Sequence, residues 1–204
     1  MAIYVTDPII EQRLLAQRAE SGADRYDEVW EGTYMMAPMP NLEHQQLVIR
    51  LATIFQETLG WSGGASVLAG CNVSDRQVDW QQNYRVPDIA VVFQGGAARD
   101  CGTHFCGGPD FVLEVASPSD RTYEKLEFYG RLGVRELLII DRDPWKLQLY
   151  RHDGTVLVCI ASVDVSQQLE VVAQCLPFSF RLEDDSPRPS IAVQHTSSGK
   201  QWHV

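Results

Sequence analysis

The sequence predicts an α/β fold in which a mixed β-sheet is flanked by helices, with extra strands at both ends of the chain. Three observations predict it. The first is a strand-helix-strand unit, FVLEVA (111–116), SDRTYEKLEFYGRLG (119–133) and ELLIID (136–141), whose strands are apolar enough to lie inside a sheet. The second is LEHQQLVIRLATIFQETLG (42–60), where Leu47, Leu51, Ile54, Phe55 and Leu59 recur at helical spacing. The third is the set of short strand-like runs around these helices.

In chain order, PIIEQRLLAQRAE (8–20) reads as a short helix with Ile9, Ile10, Leu14 and Leu15 on one side. YDEVWEGTYMMAP (26–38) alternates as a hairpin closed by Glu31-Gly32. Asn41 is the expected N-cap of the 42–60 helix, and Gly60 its stop. ASVLAG, a less regular piece around CNV, and VPDIAVVF read as strands, followed by a glycine-rich loop, QGGAARDCGTHFCGG (94–108). After FVLEVA, Ser119 or Asp120 can cap the next helix, and Gly133 stands where a left-handed C-terminal residue belongs. ELLIID, the turn DRDPW, KLQLYR, TVLVCI and LEVVA complete the strands. At 204 residues the expectation is one domain over 1–183 and a loose tail over 184–204, where Pro187, Pro189 and a Ser/His/Gly mixture interrupt any pattern.

Charge and composition narrow the function. The net charge of -10 argues against a broad grip on nucleic acid, yet Arg121, Lys125, Arg131, Arg135, Arg142, Lys146 and Arg151 concentrate in the centre. Five scattered cysteines without a CxxC pair suit reduced thiols, and Cys159 in VLVCI reads as core. No run is long enough to cross a bilayer and no secretory signal opens the chain, so a cytoplasmic location is expected.

The chemistry sits in two apolar strands that each carry an acid. Asp88 opens VPDIAVVF, and Glu114 lies inside FVLEV. If the strands pair, the carboxylates meet at one sheet edge, where they repel unless a cation lies between them. A hard ion such as Mg²⁺ suits two carboxylates, with Mn²⁺ as a substitute. Lys125, on the helix after the Glu114 strand, can reach back toward them if that helix folds over the sheet. Alone, each residue has an ordinary reading: a turn aspartate, an edge glutamate and a solvated lysine. GWSGG (60–64) follows a helix instead of a strand, so it is no nucleophile elbow. CGTHFC (101–106) lacks a fourth zinc ligand nearby.

Taken together, VPDIAVV, GGPDFVLEVASPSD, EKLEFYGRLGVRELLIID and the opening YDEVWEGTYMMAPMPNLEHQQL resemble the Uma-two family of restriction-endonuclease-like proteins, in the PD-(D/E)XK nuclease superfamily. The resemblance spans about residues 26–182. It implies that Asp88 and Glu114 are metal ligands with the Val115 carbonyl as a third. The motif lysine would stand at position 116, which is Ala116 here; the resemblance transfers that role to Lys125. His44 and Glu43 stand as accessory candidates at the start of the long helix. Asp141 matches a recurrent family position and reads as a turn or cap residue. The implied function is an Mg²⁺-dependent DNA endonuclease, with a homodimer as the arrangement suited to cutting two strands. The alternatives are a non-catalytic DNA-binding or regulatory module on the same fold, and a hydrolase of other phosphate esters.

Overall fold

The computed structural model describes residues 7–117 and 121–204. The capping role expected of Ser119 or Asp120 falls outside the described residues.

The chain opens with helix α1 (Pro8–Ser21), capped by the Asp7 carboxylate. Its apolar side does not reach the core: α1 has no buried residue, and Ile9 and Ile10 are exposed. A hairpin follows, β1 (Glu28–Trp30) and β2 (Thr33–Met35), closed by Glu31-Gly32, with Gly32 at φ 82° as such a turn requires. Asn41 caps α2 (Leu42–Phe55), accepting the His44 N–H at 2.9 Å. The α-helix stops at Phe55 and continues to Gly60 as a single π turn.

Next come β3 (Ala65–Ala69), β4 (Val73–Ser74), β5 (Tyr84–Arg85) and β6 (Ile89–Phe93). The glycine-rich loop is more structured than its composition suggests, since it holds the paired strands β7 (Arg99–Asp100) and β8 (Phe105–Cys106). Strand β9 (Phe111–Val115) leads to α3 (Lys125–Leu132), which is entered through a 3₁₀ turn, Thr122–Glu124. Lys125 is therefore the first residue of the α-helix. Gly133 ends α3 at φ 77°. Strands β10 (Glu136–Arg142), β11 (Trp145–His152) and β12 (Leu157–Asp164) follow, then β13 (Val171–Val172) and β14 (Phe178–Glu183).

The segment expected to be a loose tail instead contributes β15 (Ser190–His195) and β16 (Gln201–His203). Both join a four-stranded sheet, β13-β14-β15-β16. Ile191 and Val193 alternate inward and are fully buried. The prolines that suggested disorder stand before β15, where they interrupt no ladder.

The central sheet runs β12-β11-β10-β9-β6-β3; β9 and β10 are parallel and the other pairs antiparallel. Its two faces bury different partners. Phe111, Leu113 and Val115 of β9 join the larger core, beneath α2 and the C-terminal sheet. Val112 and Ala116 join a second core with Phe128 and Tyr129 of α3. By the two-residue alternation of a strand, Glu114 belongs to the α3 side. All five cysteines are free, and Cys159 is exposed rather than part of the core. Among the described residues no helix is long and apolar enough to cross a membrane.

Candidate active site

Strand register brings the two acids together. β6 and β9 pair as Ile89↔Leu113, Ala90↔Val112 and Val91↔Phe111. One step beyond Ala90↔Val112 on the same face, Asp88 falls opposite Glu114. On the alternate face Pro87 falls opposite Val115. A proline has no N–H to give the Val115 carbonyl. The Val115 N–H donates instead to Asp88 Oδ2 at 2.7 Å. The carbonyl of a strand residue points to the same side as its N–H, so Val115 turns its carbonyl toward Asp88. Among the described residues Asp88 Oδ1 accepts no hydrogen bond.

The far end of the same ladder repeats this device. Pro109 falls opposite Phe93, and the Phe93 N–H donates to Asp110 Oδ2 at 2.9 Å. The surroundings separate the two ends. Asp110 faces the Arg135 guanidinium at 3.3 Å. Asp88 faces Glu114 and lies 3.2 Å from His44 Nε2.

Glu114 is buried on the α3 side, as its strand position requires. Lys125 Nζ reaches its two oxygens at 3.1 and 3.2 Å, and the Tyr129 hydroxyl donates to Oε1 at 2.7 Å. Lys125 thus reaches Glu114 from the next helix. Ala116 is buried in the apolar cluster under α3. Lys125 also meets Glu28 Oε1 at 2.9 Å. Glu28 is itself fixed, accepting the Val86 N–H at 2.8 Å and the Trp30 indole N–H at 2.6 Å. One buried ammonium therefore serves two carboxylates, with the charge of Asp88 beside them. Burial, reinforced by Asp88 and Glu28, pushes the Glu114 carboxyl above its ordinary value, against the opposing pull of Lys125 and the Tyr129 hydroxyl. Burial alone would lower the Lys125 pKa, but Glu114 and Glu28 outweigh it and hold it above its ordinary value.

A family model described as a putative restriction endonuclease, Uma2, matches residues 12–192. The chain belongs to this family. No curated relative matches it. Among solved structures, a putative nuclease belonging to DUF820 from Anabaena variabilis ATCC 29413 superposes with a TM-score of 0.58 at 17% identity. That match covers 72% of this chain and 81% of the other. At that identity the likeness concerns the fold, which is restriction-endonuclease-like.

Within this family frame, Asp88, Glu114, Val115 and Lys125 converge, and His44 joins them through Asp88. Glu43 does not. Its carboxylate is taken by Arg142 Nη1 at 3.0 Å and by Arg188 Nε at 2.9 Å. Asp141 lies inside β10, not in a turn, and accepts from the Tyr123 hydroxyl. Tyr129, packed in the core under α3, also holds Glu114. Sequence reasoning missed Glu28, which lies 86 positions from Glu114 in a hairpin of ordinary appearance. It also missed Arg142, which ties Asn41 and Glu43 of the α2 entry to the Ala116 carbonyl.

The donors suit a hard divalent ion. Asp88 offers an oxygen that accepts no hydrogen bond among the described residues, Glu114 a second carboxylate beside it, and Val115 turns its carbonyl to the same side; oxygen-only sets of this kind are typical of Mg²⁺. Among the described residues no three His, Cys, Asp or Glu side chains gather as a metal cluster, so a backbone carbonyl and solvent would have to complete the shell. Burial raises the Glu114 pKa first and the charges of Asp88 and Glu28 add to it; a cation would relieve both.

Proposed function

We propose that the chain is a metal-dependent DNA endonuclease that hydrolyses phosphodiester bonds at Asp88, Glu114 and Lys125. The observation that carries this reading is the contact of Lys125 Nζ with both Glu114 oxygens, which supplies from α3 the cation that Ala116 cannot. In this reading Asp88, Glu114 and the Val115 carbonyl hold Mg²⁺, with Mn²⁺ able to substitute. Such an ion lowers the pKa of water and offsets charge on a phosphate. Lys125 presents its ammonium beside the carboxylates, where it donates to an incoming phosphate oxygen and stabilises the negative charge that develops there. Glu28 and Tyr129 hold the lysine and the glutamate in register, so little reorganisation is needed. Cutting both strands calls for two sites, which a homodimer or successive encounters would provide; sedimentation at working concentration distinguishes these.

The test is cleavage of plasmid DNA with Mg²⁺ or Mn²⁺. Asp88→Ala and Glu114→Ala should each abolish it. Equal residual cutting by wild type and both variants would assign the activity to a contaminant.

One observation favours a second reading, a non-catalytic DNA-binding or regulatory module. Asp110 makes the same strand-end bond as Asp88 while paired with the Arg135 guanidinium, so that bond by itself is a structural role. A calorimetric Mn²⁺ titration separates the readings. Heat of binding in wild type that disappears in Asp88→Ala supports the endonuclease; absence of binding in both supports the module.

A further inference from the structure

Arg85 is a buried cation with one edge of its guanidinium unused. The side chain lies between two rings, 4.4 Å from the centroid of Trp30 and 4.1 Å from that of Phe128. Nη1 donates to the Val29 carbonyl at 2.9 Å, the Tyr84 carbonyl at 3.0 Å and Asn83 Oδ1 at 3.1 Å. Nε is buried without a hydrogen-bond partner, and among the described residues Nη2 donates to none. The acids whose charges reach Arg85 are committed elsewhere, Glu28 to Lys125 at 2.9 Å and Glu31 to Arg131 at 3.0 Å. Burial therefore holds the Arg85 pKa below its ordinary value despite those acids. A buried charge in this state is costly until a partner reaches it.

Nε and Nη2 present their N–H groups along one edge of the guanidinium, the edge that takes two oxygens of a carboxylate or phosphate side by side. Arg85 lines a hollow of about 570 Å³, a volume ordinary for a ligand site, between Trp30 and Glu31 of the hairpin and Glu127 and Arg131 of α3. The acids at its rim are already paired. Glu31 and Glu127 face Arg131 at 3.0 and 3.9 Å, and Glu124 accepts from Arg121 Nε at 2.7 Å. Three rim acids thus meet two rim arginines, and Arg85 brings the sum to zero, so an incoming anion meets no net repulsion there. The hollow adjoins the candidate site. Glu28 stands between them, holding Lys125 with Oε1 and the Trp30 indole with Oε2.

We propose that this hollow is a phosphate subsite, in which the Nε–Nη2 edge of Arg85 takes two oxygens of a backbone phosphate on the strand held at Asp88 and Glu114. A phosphodiester carries a single charge and two unbridged oxygens, which matches one unpaired guanidinium edge. Trp30 and Phe128 hold the guanidinium plane, so the bonds form without ordering a long side chain. The strand is thereby fixed at a second point beside the cut, which sets its register on the metal ligands. The subsite rests on the endonuclease reading for the source of its phosphate, although the contact itself needs no cleavage.

The experiment measures binding in Ca²⁺ to duplexes that each carry one methylphosphonate, a neutral linkage, at successive positions. For wild type, the linkage that meets Arg85 should weaken binding by about tenfold, the loss of a charge-assisted pair. Arg85→Lys keeps a charge between the rings and loses the two-pronged edge. It should bind the unmodified duplex about tenfold more weakly and become insensitive at that one linkage while staying sensitive at the others. Should the lysine variant fail to fold, Glu127→Trp decides: Glu127 is exposed at the rim, and an indole there closes the hollow with the core untouched. The same single sensitivity should disappear. Variants that retain the whole wild-type pattern, or that lose affinity equally for every duplex, overturn the subsite and leave Arg85 a structural residue. An effect confined to a terminal phosphate overturns the backbone assignment, and so does an absence of DNA binding by wild type. If wild type shows the Arg85-linked position and never cuts, the endonuclease reading alone fails. If it cuts and no position depends on Arg85, the subsite alone fails.

Discussion

Lys125 keeps its charge in a buried position because two carboxylates surround it. Removing the ammonium leaves Glu28 and Glu114 buried and uncompensated, and breaking a buried pair in this way costs about 3–5 kcal/mol. Lys125→Ala should therefore abolish cleavage and also lower the unfolding midpoint in urea. Its activity must be compared at a temperature where both proteins are folded. Glu28→Gln is the more informative change. It retains the volume and an acceptor oxygen but removes the charge, so the lysine keeps Glu114 as a charged partner and loses the attraction of the second carboxylate. The single-turnover rate should fall roughly tenfold, the low end of what a misdirected stabilising donor costs. The apparent affinity for DNA should hardly move, since Glu28 is buried and offers no surface to the backbone. A drop in affinity with an unchanged rate would show that Glu28 shapes the binding surface instead of the lysine. Glu28 could not be found from spacing. Nothing in YDEVWEG distinguishes a site acid from the polar side of a hairpin, and only the pairing of β1 with β5 brings it to Val86 and then to Lys125.

At the level of elements, the site draws on β6, β9 and α3, with the N-terminal hairpin and the α2 entry beside them. Asp88, Glu114 and Lys125 were legible because they sit at fixed places in strongly patterned elements: a strand start, a strand interior and the helix that follows. The α2 entry was less so. Glu43 looks like a helix-start acid available for a ligand, but its geometry depends on Arg142 and Arg188, 99 and 145 positions away. These contacts join α2 to β10 and to the segment before β15. They also make stability depend on pH. Burial would raise the Glu43 carboxyl, but the hydrogen bonds and charges of Arg188 and Arg142 outweigh it and hold it below its ordinary value. A depressed carboxyl contributes stability above its unfolded pKa, near 4.3, and that contribution disappears as pH falls through the folded value. Solvent screening at this partly exposed pair limits it to less than about 1 kcal/mol. Glu43→Gln should thus reduce stability slightly at pH 7 and have no effect at the acid end, so the variant's stability profile below about pH 5 is flatter than that of wild type. Parallel profiles would mean that the two arginines gain nothing from the charge.

On the scale of the whole molecule, the C-terminal sheet is a wall of the larger core. Phe55 of α2 packs edge-on against Phe111 of β9, with ring centroids 6.0 Å apart, and stacks on Phe178 of β14 at 5.2 Å. One aromatic cluster thus connects the strand that bears Glu114 to the sheet completed by β15 and β16. The fold class was visible in the sequence because the central strands and both long helices have strong periodicity. The last two strands were not, because SIAVQH is six residues long, lies between Pro187-Arg188-Pro189 and Ser197-Ser198-Gly199, and has only Ile191 and Val193 as fully buried anchors. Such a strand is specified by its partner: β14 and β15 pair along their full length, from Phe178↔His195 to Glu183↔Ser190. If residues 184–204 were a dispensable tail, a chain ending at residue 183 would unfold at the same urea concentration as the full chain. The packing requires the opposite. Truncation exposes β14 as a bare edge and uncovers Phe178 and Phe180, so the shortened chain should lose its cooperative transition or aggregate. Ile191→Ala tests the same contact without removing backbone pairing. It should cost about 2–5 kcal/mol, the range for deleting a fully buried aliphatic side chain, and appear as a lower urea midpoint at unchanged slope. Because Phe55 links that wall to β9, the variant should also cut DNA less well near its melting temperature while matching wild type well below it.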